Sequence, residues 1–269
     1  MGDVQRPAGH APYLLGIDSG LTVTKAVVYD RRGVEMGSGS VRIPQEKPHP
    51  RWVERDMNGV WESVQYAIHE ALKQAGVTGS QISGVAATGH GDGVYLLDDH
   101  YQPIRPGILS LDTRAYQIIE QWGEQSILEQ GLQLTGQYPY AAAPAAVLAW
   151  LRDHEPENYA RIRWFLPCKD WIKFKLTGEI ATDPTEGSLS FTDVRTQTYS
   201  SAAFALYGLE EMELKAPPII ESSQIAGRIT PEAAEATGLA AGTPVVASLH
   251  DVDACAIGIG CARRGQLSM

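Results

Sequence analysis

The sequence predicts an α/β domain whose mixed sheet contains an antiparallel three-strand meander flanked by helices. Three observations support this prediction. Residues 13–43 are short apolar segments joined by tight turns, the pattern of a meander. Residues 61–75 carry apolar side chains at three- and four-residue steps, which is typical of an amphipathic helix. Residues 82–88 and 244–247 are apolar segments that predict two further strands.

Composition excludes several classes of protein. The chain has 269 residues, and its hydrophobic content of 43% supports a substantial core. A formal net charge of −10 argues against nucleic acid or an anionic membrane surface as the main partner. The longest apolar runs, such as residues 141–151, are too short and interrupted to span a bilayer.

The termini and the cysteines indicate a cytoplasmic protein. Residues 1–12 lack the apolar segment of a signal peptide and are predicted to be a disordered or ragged N-terminus. Cys168, Cys255 and Cys261 are too few for a disulfide framework and fit a reducing compartment. Cys255 and Cys261 lie in a segment of small residues, so we expect them to pack as small hydrophobic side chains.

The meander begins with a predicted strand at residues 13–18, followed by a turn at 19–24 and a strand at 25–30. A second turn at residues 31–33 leads to a third strand at residues 34–43. The order of apolar and turn residues therefore predicts that all three strands are neighbours in one sheet.

The first turn has the chemistry of a phosphate site. Backbone N–H groups near Gly20, the hydroxyls of Thr22 and Thr24, and the Lys25 ammonium can all bind phosphate oxygens. Asp18, at the end of the preceding strand, can hold Mg²⁺ directly or through water, because Mg²⁺ prefers oxygen ligands. An ordinary hairpin with a capped turn explains the same residues without a ligand.

A proline-rich connector at residues 44–50 leads into the amphipathic helix. Asp56 or Asn58 is a plausible N-cap, and Gly76 is a plausible C-terminal stop. Glu54 lies in the segment before this helix. It is either a surface acid or a carboxylate that reaches a polyol.

The strand at residues 82–88 ends in a glycine-rich loop, residues 89–93. This loop is not a dinucleotide fingerprint, because its glycines follow G-x-G-x-G spacing and a strand at residues 94–98 comes next. Ligands often bind beyond the carboxyl ends of strands in open α/β sheets. His90 and Asp92 are therefore candidate substrate contacts, with a tight turn as the alternative.

The middle of the chain is predicted to be mostly helical. Asp112 opens a helix that runs to about Trp122, and it acts as a simple N-cap or as a hydroxyl-binding carboxylate. The remaining predictions are helix over residues 126–155 with a break near 138–139, a strand at 163–167, helix at 169–176, a polar loop at 182–187, helix at 200–207, and a short helix from Thr230 to Gly238.

The strand at residues 244–247 delivers Asp251 to the start of a small-residue helix that we expect to be close-packed. A helix start carries partial positive charge and free N–H groups, so it favours an ionised carboxylate near a bound anion. We interpret Asp251 as a catalytic base. His250 is assigned either to the substrate contacts or to a cap of this helix.

Taken in order, these segments resemble the N-terminal domain of the FGGY family of carbohydrate kinases, in the actin-like, ribonuclease-H-like ATPase superfamily. The resemblance covers nearly the whole chain after residue 12. It rests on the phosphate motif at residues 16–25, W-x-E-x-D at 52–56, a W-x-D-x-R segment at 110–114 with Ser110 in place of Trp, a K-D-Y…L-T-G-E block at 169–179, and the P-P-I…G-T-P-V-V…D run at 217–251.

The resemblance implies ATP and Mg²⁺ as cofactors and a sugar as substrate. The roles it implies are general base for Asp251, magnesium and γ-phosphate contact for Asp18, phosphate loop for Gly20, Thr22 and Lys25, and contacts to a polyol or ketose for His90, Asp92 and Asp112.

Several positions depart from the family pattern. Leu21 replaces a Thr of the phosphate motif, which removes a hydroxyl but keeps the backbone donors. Residues 248–250 replace a glycine-rich segment, and residues 90–92 replace the Gln-Met-His of xylulose kinases. These changes argue against D-xylulose and glycerol as the substrate. The chain looks most similar to the L-xylulose kinase branch.

The resemblance also implies a domain organisation. Residues 13–262 correspond to the sugar-binding domain, and residues 263–269 correspond to the start of a linker to a C-terminal ATP-binding domain that the chain lacks. We therefore expect ATP-dependent phosphorylation of a pentulose such as L-xylulose, or a related ketose or polyol, with little transfer by this half alone. A homodimer is compatible with the sequence.

Two other functions are compared with the kinase hypothesis. One is a non-catalytic sugar-binding or regulatory module without an ATP lobe. The other is a metal-dependent hydrolase that uses His250, Asp251 and Asp253. It is disfavoured because side chains at i and i+2 diverge on a helix. The kinase hypothesis predicts that the carboxylates of Asp18 and Asp251 face one cleft.

Overall fold

The computed structural model describes residues 12–261 and 263–266. The predictions for residues 1–11, 262 and 267–269 lie outside the described residues. The elements run in the order β1 (Tyr13–Ser19), β2 (Val23–Asp30), β3 (Glu35–Arg42), β4 (Glu54–Arg55), α1 (Met57–Ala75), β5 (Ile82–Gly89), β6 (Tyr95–Leu97), β7 (Gly107–Ile108), α2 (Tyr116–Glu124), α3 (Ile127–Thr135), α4 (Pro144–His154), α5 (Pro156–Arg161), β8 (Trp164–Leu166), α6 (Cys168–Thr177), α7 (Pro184–Gly187), α8 (Ser201–Leu206), a 3-10 helix (Glu210–Lys215), β9 (Ile225–Arg228), α9 (Pro231–Thr237), β10 (Pro244–Val246) and α10 (Asp251–Gly258).

The central sheet has six strands in the order β3-β2-β1-β5-β10-β9. β1, β2 and β3 pair antiparallel, as the meander predicts, whereas β5 pairs parallel to β1 and β10 pairs parallel to β5. The carboxyl ends of β1, β5 and β10 therefore meet at one edge of the sheet. This topology brings the turn after β1, the loop after β5 and the start of α10 together.

Helix α1 packs on the meander as its apolar stripe predicts. The Asp56 side chain accepts from the backbone N–H groups of Asn58 and Gly59, so Asp56 is the N-cap, and Gly76 ends the helix at φ 65°. Strand β3 approaches the helix so closely that a Cβ at Gly39 would lie 2.2 Å from the carbonyl oxygen of Ala67. Glycine at this position lets helix and sheet backbones touch.

Two hydrophobic clusters form the core. The first lies between the six-stranded sheet and helices α1, α6 and α9, and it includes Leu15, Val28, Ile68, Val85 and Trp171. The second fills the helical region inserted after β5, where Leu148, Phe191 and Phe204 are buried. No helix in the described part of the chain is long and apolar enough to cross a membrane.

Two local predictions were wrong or incomplete, and two elements were not predicted. Helix α2 begins at Tyr116, four residues after Asp112, because the Asp112 carboxylate accepts from the backbone N–H groups of Arg114 and Val53 and holds a turn there. The polar loop at residues 182–187 contains the short helix α7, capped by Asp183. Strand β9 and the 3-10 helix had no clear sequence signal.

The C-terminal helix also differs from its prediction. None of the residues of α10 is buried, and Cys255 is exposed rather than packed. Val252, Ile257 and Ile259 are 63%, 56% and 70% exposed. Small, apolar residues indicate that a helix can be packed closely, but they do not show that a packing partner is present.

Candidate active site

A cleft of about 370 Å³ lies at the edge where the carboxyl ends of the parallel strands meet. Its volume falls within the roughly 300–1,000 Å³ that is usual for small-molecule sites. The lining residues come from the turn after β1, the loop after β5, the segments before α2 and α4, and the start of α10. They are Leu21, His90, Gly91, Asp92, Ser110, Tyr140, His250, Asp251 and Val252.

Asp18 and Asp251 are two acids at the edge of the sheet where this cleft lies. Asp18 is the penultimate residue of β1 and is exposed, and Asp251 opens α10 with its side chain 33% exposed. Partial burial and the negative charge of Asp251 raise the pKa of Asp18, and the Lys25 ammonium opposes this shift. Asp18 pairs with Thr88 across β1 and β5, and the Thr88 hydroxyl donates to the carbonyl of Leu249, two residues before Asp251. The two acids therefore lie at the same edge of the sheet, although they are far apart in sequence.

The strand end that carries Asp251 is held by two hydroxyl groups. The Thr88 hydroxyl donates to the carbonyl of Leu249 over 2.8 Å. The backbone N–H of His250 donates to Oγ1 of Thr185 over 2.8 Å, and that hydroxyl donates to Oδ2 of Asp183 over 2.7 Å. These bonds hold the two residues that precede Asp251, so the backbone at the start of α10 has a defined position.

A buried charge network lies behind this turn. The Lys169 ammonium lies 2.8 Å from Asp170, 3.0 Å from Asp183 and 3.2 Å from the carbonyl oxygen of Ala247. Lys173 lies 2.6 Å from the same oxygen of Asp170. The network therefore joins helix α6 to Ala247, which follows β10 and lies four residues before Asp251.

The imidazole of His250 lies directly against Gly91. Its side chain is 13% exposed, and Nε2 is buried without a hydrogen-bond partner among the described residues. A Cβ on Gly91 would lie 1.6 Å from Nε2 of His250, which is far inside any allowed contact. Glycine at position 91 thus makes the room in which the imidazole faces the cleft.

Replacing Gly91 by alanine is expected to destabilise the chain by about 1–3 kcal/mol, the usual cost of overpacking. The free energy of unfolding in urea measures this cost. In a His250→Ala background the same substitution should cost much less, because the clashing ring is gone. Gly258→Ala is a matched control, since nothing lies within 4 Å of a Cβ at that helical position. Equal costs for Gly91→Ala with and without His250 would contradict this packing.

Asp92 and Tyr140 line the same cleft as Asp251 and give it two further polar groups. Asp92 has a left-handed backbone, with φ 56°. Burial raises the pKa of the Asp92 carboxyl, and a hydrogen bond from Tyr140 lowers it. Sequence reasoning missed Tyr140. The only signal was the break in helical pattern near residues 138–139, which places a loop, and hence its polar side chains, at the end of α3.

His90 lines the floor of the cleft. Its side chain is buried, and Nε2 lies 3.2 Å from the hydroxyl of Tyr95. Burial lowers the pKa of His90 to about 4, so the imidazole is neutral at physiological pH. His90 therefore supports the floor of the site as a neutral ring and carries no charge there.

The phosphate turn keeps three of the four residues predicted for it on its accessible side. Gly20 donates its N–H to the carbonyl of Val23 over 3.0 Å, and Thr22 and Lys25 are exposed. Thr24 is buried, and its hydroxyl lies 3.0 Å from that of Ser19 and 2.9 Å from that of Ser63. The Thr24 hydroxyl faces the interior, because alternate residues of β2 point to opposite faces.

Glu54 and Asp112 belong to a buried ionic cluster rather than to the lining of the cleft. Arg114 lies 2.8 Å from Asp112 and 2.6 Å from Glu54, and Arg105 pairs with Glu54 and with Glu155. Asp112 is 0% exposed and also accepts from the backbone N–H of Val53. The structure gives both carboxylates protein partners and so does not place them among the sugar contacts that the sequence predicted.

Glu186 is a buried acid without a hydrogen-bond partner in the described part of the chain. Neither carboxyl oxygen has a hydrogen bond among the described residues, and burial raises its pKa well above the ordinary value of 4.5. It lines an internal cavity of about 30 Å³ that also touches Asp92 and Thr182, enough room for about one water molecule. Burial therefore favours the protonated form of Glu186 in the folded protein.

Replacing Glu186 by glutamine is expected to stabilise the chain increasingly as pH rises. The folded state keeps a proton that the unfolded state releases above about pH 4.5, so the native protein loses stability as pH rises toward the folded pKa. Urea unfolding at about pH 5 and about pH 8 measures the difference. Glu62→Gln, at an exposed position of α1, is the control. An advantage of Glu186→Gln that does not grow with pH would show that Glu186 is ionised.

Comparison with known proteins places these features in context. The sequence model of the FGGY family of carbohydrate kinases, N-terminal domain, matches residues 13–258. A probable L-xylulose kinase of Pasteurella multocida is 38% identical over 246 residues, which are 91% of this chain and 51% of the relative. The L-xylulose/3-keto-L-gulonate kinase of Escherichia coli is 36% identical over 248 residues, or 91% of this chain and 49% of the relative.

The fold of the chain also matches solved structures. The crystal structure of a xylulose kinase from Rhodospirillum rubrum superposes with a TM-score of 0.88 at 28% identity, and the match covers 94% of this chain and 52% of that one. The chain thus spans about half the length of the curated relatives it matches.

Proposed function

The chain belongs to the FGGY family of carbohydrate kinases, and we propose that its cleft binds a sugar for phosphorylation by ATP. In this proposal Asp251 is the general base. The observation that supports it is that the turn after β1, the loop after β5 and Asp251 at the start of α10 meet at one polar cleft, with Asp18 at the same edge of the sheet. Phosphoryl transfer requires these parts, because it depends on positioning and charge stabilisation more than on covalent chemistry by the protein.

The proposed reaction uses each residue at a stated atom. The sugar hydroxyl donates a hydrogen bond to the Asp251 carboxylate, which accepts its proton as the oxygen bonds to the γ-phosphorus and the bond to the β-phosphate oxygen breaks. Backbone N–H groups near Gly20, the Thr22 hydroxyl and the Lys25 ammonium bind phosphate oxygens. The β10–α10 turn presents Asp251 at a helix start, where an ionised carboxylate is stabilised.

Asp18 fits a magnesium ion. Asp18 is exposed at the edge of the sheet near Asp251, and the repulsion from Asp251 that raises the pKa of Asp18 would be relieved by a cation. Mg²⁺ is usually held by one or two carboxylates plus water and substrate phosphates. When bound, the ion would neutralise charge on the phosphate oxygens. Asp18 would hold it, directly or through water.

The proposed substrate is a pentulose such as L-xylulose, or a related ketose or polyol. Relatives described as L-xylulose kinases support the pentulose. Asp92, Tyr140 and His250 give the cleft a carboxylate, a hydroxyl and an unpartnered ring nitrogen, which suit a ligand with several hydroxyls. His90 acts from below as a neutral support, and Glu54 and Asp112 support the cleft through their arginine partners.

We further propose that a second lobe completes the ATP site. The relatives are about twice as long as the matched region, and closure of two lobes is a common way to assemble such sites.

Titration of this chain with L-xylulose, followed by backbone amide NMR, tests the sugar site. Saturable shifts are expected at residues 89–92 and 250–252. Asp92→Asn should weaken binding, whereas Asp99→Asn, on an exposed turn, should not. The absence of saturable shifts for L-xylulose, other ketoses and polyols would contradict the proposed sugar site.

A further inference from the structure

Three successive carbonyls of the phosphate turn accept hydrogen bonds from residues outside the turn. The Gly20 carbonyl accepts from Arg55 Nη1 over 3.1 Å, and the Leu21 carbonyl accepts from Arg55 Nη2. The Leu21 carbonyl also accepts from Nε2 of Gln45 over 2.7 Å, and the Thr22 carbonyl accepts from the backbone N–H of Ile43 over 3.0 Å. Three successive peptide groups are thus anchored by their oxygens.

Anchoring the oxygens fixes the direction of the N–H groups. In a planar trans peptide the C=O and N–H bonds point in opposite directions. The N–H groups of Leu21 and Thr22 therefore point away from Arg55, toward the open side of the turn. Neither donates to a protein acceptor within the described ranges. Successive free N–H groups of this kind form an anion-binding concavity.

Arg55 is a buried cation without a counter-ion in the described part of the chain. Its side chain is 1% exposed, and no carboxylate pairs with it among residues 12–261 and 263–266. Its Nε atom has no partner there. Burying an unpaired charge destabilises the folded protein, so a buried cation is usually paired with an anion.

The titratable groups around Arg55 do not neutralise it. They are Tyr95, His90 and Cys168. Burial raises the pKa of the Tyr95 hydroxyl, raises that of the Cys168 thiol to about 11, and lowers that of His90 to about 4. All three are uncharged near neutral pH. An anion bound at the turn would therefore be a counter-charge that the surrounding side chains do not supply.

We propose that Arg55 is a positioning residue for phosphate binding: it clamps the carbonyls of the turn so that the N–H groups of Leu21 and Thr22 face the anion, and its buried charge is balanced by that anion. The ligand class is the polyphosphate of the nucleotide. This inference rests on the proposed function, because it assigns the same turn to ATP phosphates. The inference adds to the phosphate site a residue of β4, Arg55, which lies more than thirty positions after the turn in sequence.

Inorganic tripolyphosphate is the probe, titrated into the chain with Mg²⁺ and followed at the amides of Leu21 and Thr22. Arg55→Gln keeps hydrogen-bond donors but removes the charge. It should weaken tripolyphosphate binding about tenfold, the effect of losing roughly 1.4 kcal/mol from a charge-assisted interaction. Arg55→Lys keeps the positive charge but lacks the planar guanidinium that reaches two carbonyls at once. It should therefore bind tripolyphosphate more tightly than Arg55→Gln and less tightly than the wild-type chain.

The control is Arg42→Gln. Arg42 is an exposed cation whose Cα pairs with that of Val23, beside the turn, so its removal should have little effect at moderate salt. The L-xylulose affinity, measured on the same samples, should stay at its wild-type value in Arg55→Gln.

Three results would overturn the inference. They are unchanged tripolyphosphate binding in Arg55→Gln, an equal loss of tripolyphosphate and L-xylulose binding, or no tripolyphosphate shifts at Leu21 and Thr22 in the wild-type chain. The third result with L-xylulose binding intact would leave the proposed sugar site standing. Loss of both ligands in the wild-type chain would remove the proposed function as well.

Discussion

Asp251→Asn is expected to lower kcat of the natural gene product that contains this chain by about 10²–10⁴-fold, the usual effect of losing a general base. Asparagine keeps the size and hydrogen-bonding capacity of the side chain but cannot accept the proton. The KM for the sugar should change much less. Steady-state kinetics with L-xylulose and ATP measure both constants.

In the same variant, the acid limb of the plot of residual kcat against pH should move to lower pH. The charge of Asp251 contributes to the raised pKa of Asp18, so its removal should lower that pKa and keep Asp18 ionised at lower pH. Asp253→Asn is the matched control, because Asp253 lies two residues away on the same helix with its side chain 49% exposed. Unchanged kcat in Asp251→Asn, or an equal loss in Asp253→Asn, would refute the assignment of the base.

Arg114→Met is expected to have the largest effect on stability, a loss of about 3–5 kcal/mol in the free energy of unfolding. The Arg114 side chain is 0% exposed, and its guanidinium contacts both Asp112 and Glu54. Its guanidinium carbon also lies 4.1 Å from the ring centroid of Trp52. Without this cation, the negative charges of Glu54 and Asp112 are buried and less well neutralised. The loss of stability is therefore larger than the loss of one contact would cause.

Urea unfolding followed by tryptophan fluorescence measures this loss. Lys73→Met is the control, because Lys73 pairs with Glu70 at the surface with its side chain 78% exposed, and such pairs contribute about 0–1 kcal/mol. Adding Asp112→Asn to Arg114→Met should recover part of the loss, since one unpaired charge disappears. Equal losses for Arg114→Met and Lys73→Met would contradict the buried cluster.

Local sequence patterns predicted the parts of the fold that depend on local chemistry. The meander, helix α1 with its caps at Asp56 and Gly76, and the strand leading to Asp251 follow from periodicity and capping rules. These features depend on neighbours within a few residues. For the same reason helix α9, between Thr230 and Gly238, was predicted with nearly correct boundaries.

Features set by tertiary contacts could not be predicted in this way. Glu54 and Asp112 were expected to bind sugar hydroxyls, but the folded chain brings Arg105 and Arg114 to them. A carboxylate in sequence gives no indication of which cation it will find. The contact between Arg55 and the phosphate turn likewise joins segments 34 and 35 positions apart.

The exposed helix α10 shows a further limit. Its small residues predicted close packing, yet none of them is buried in the described part of the chain. Residue size sets how closely a helix can be approached. Whether a partner approaches it depends on other parts of the protein. Tyr140 was missed for a related reason, because its role follows from where the loop after α3 meets the cleft.

The most direct test of the central claim is ³¹P NMR of the natural gene product with ATP, Mg²⁺ and L-xylulose. The proposal predicts a sugar phosphate and ADP in equal amounts, and neither should form when Asp251 is replaced by asparagine. ATP hydrolysis to inorganic phosphate without a sugar ester would contradict it. So would saturable binding of L-xylulose without any transfer of phosphate to this or another ketose or polyol, the behaviour of a non-catalytic sugar-binding module.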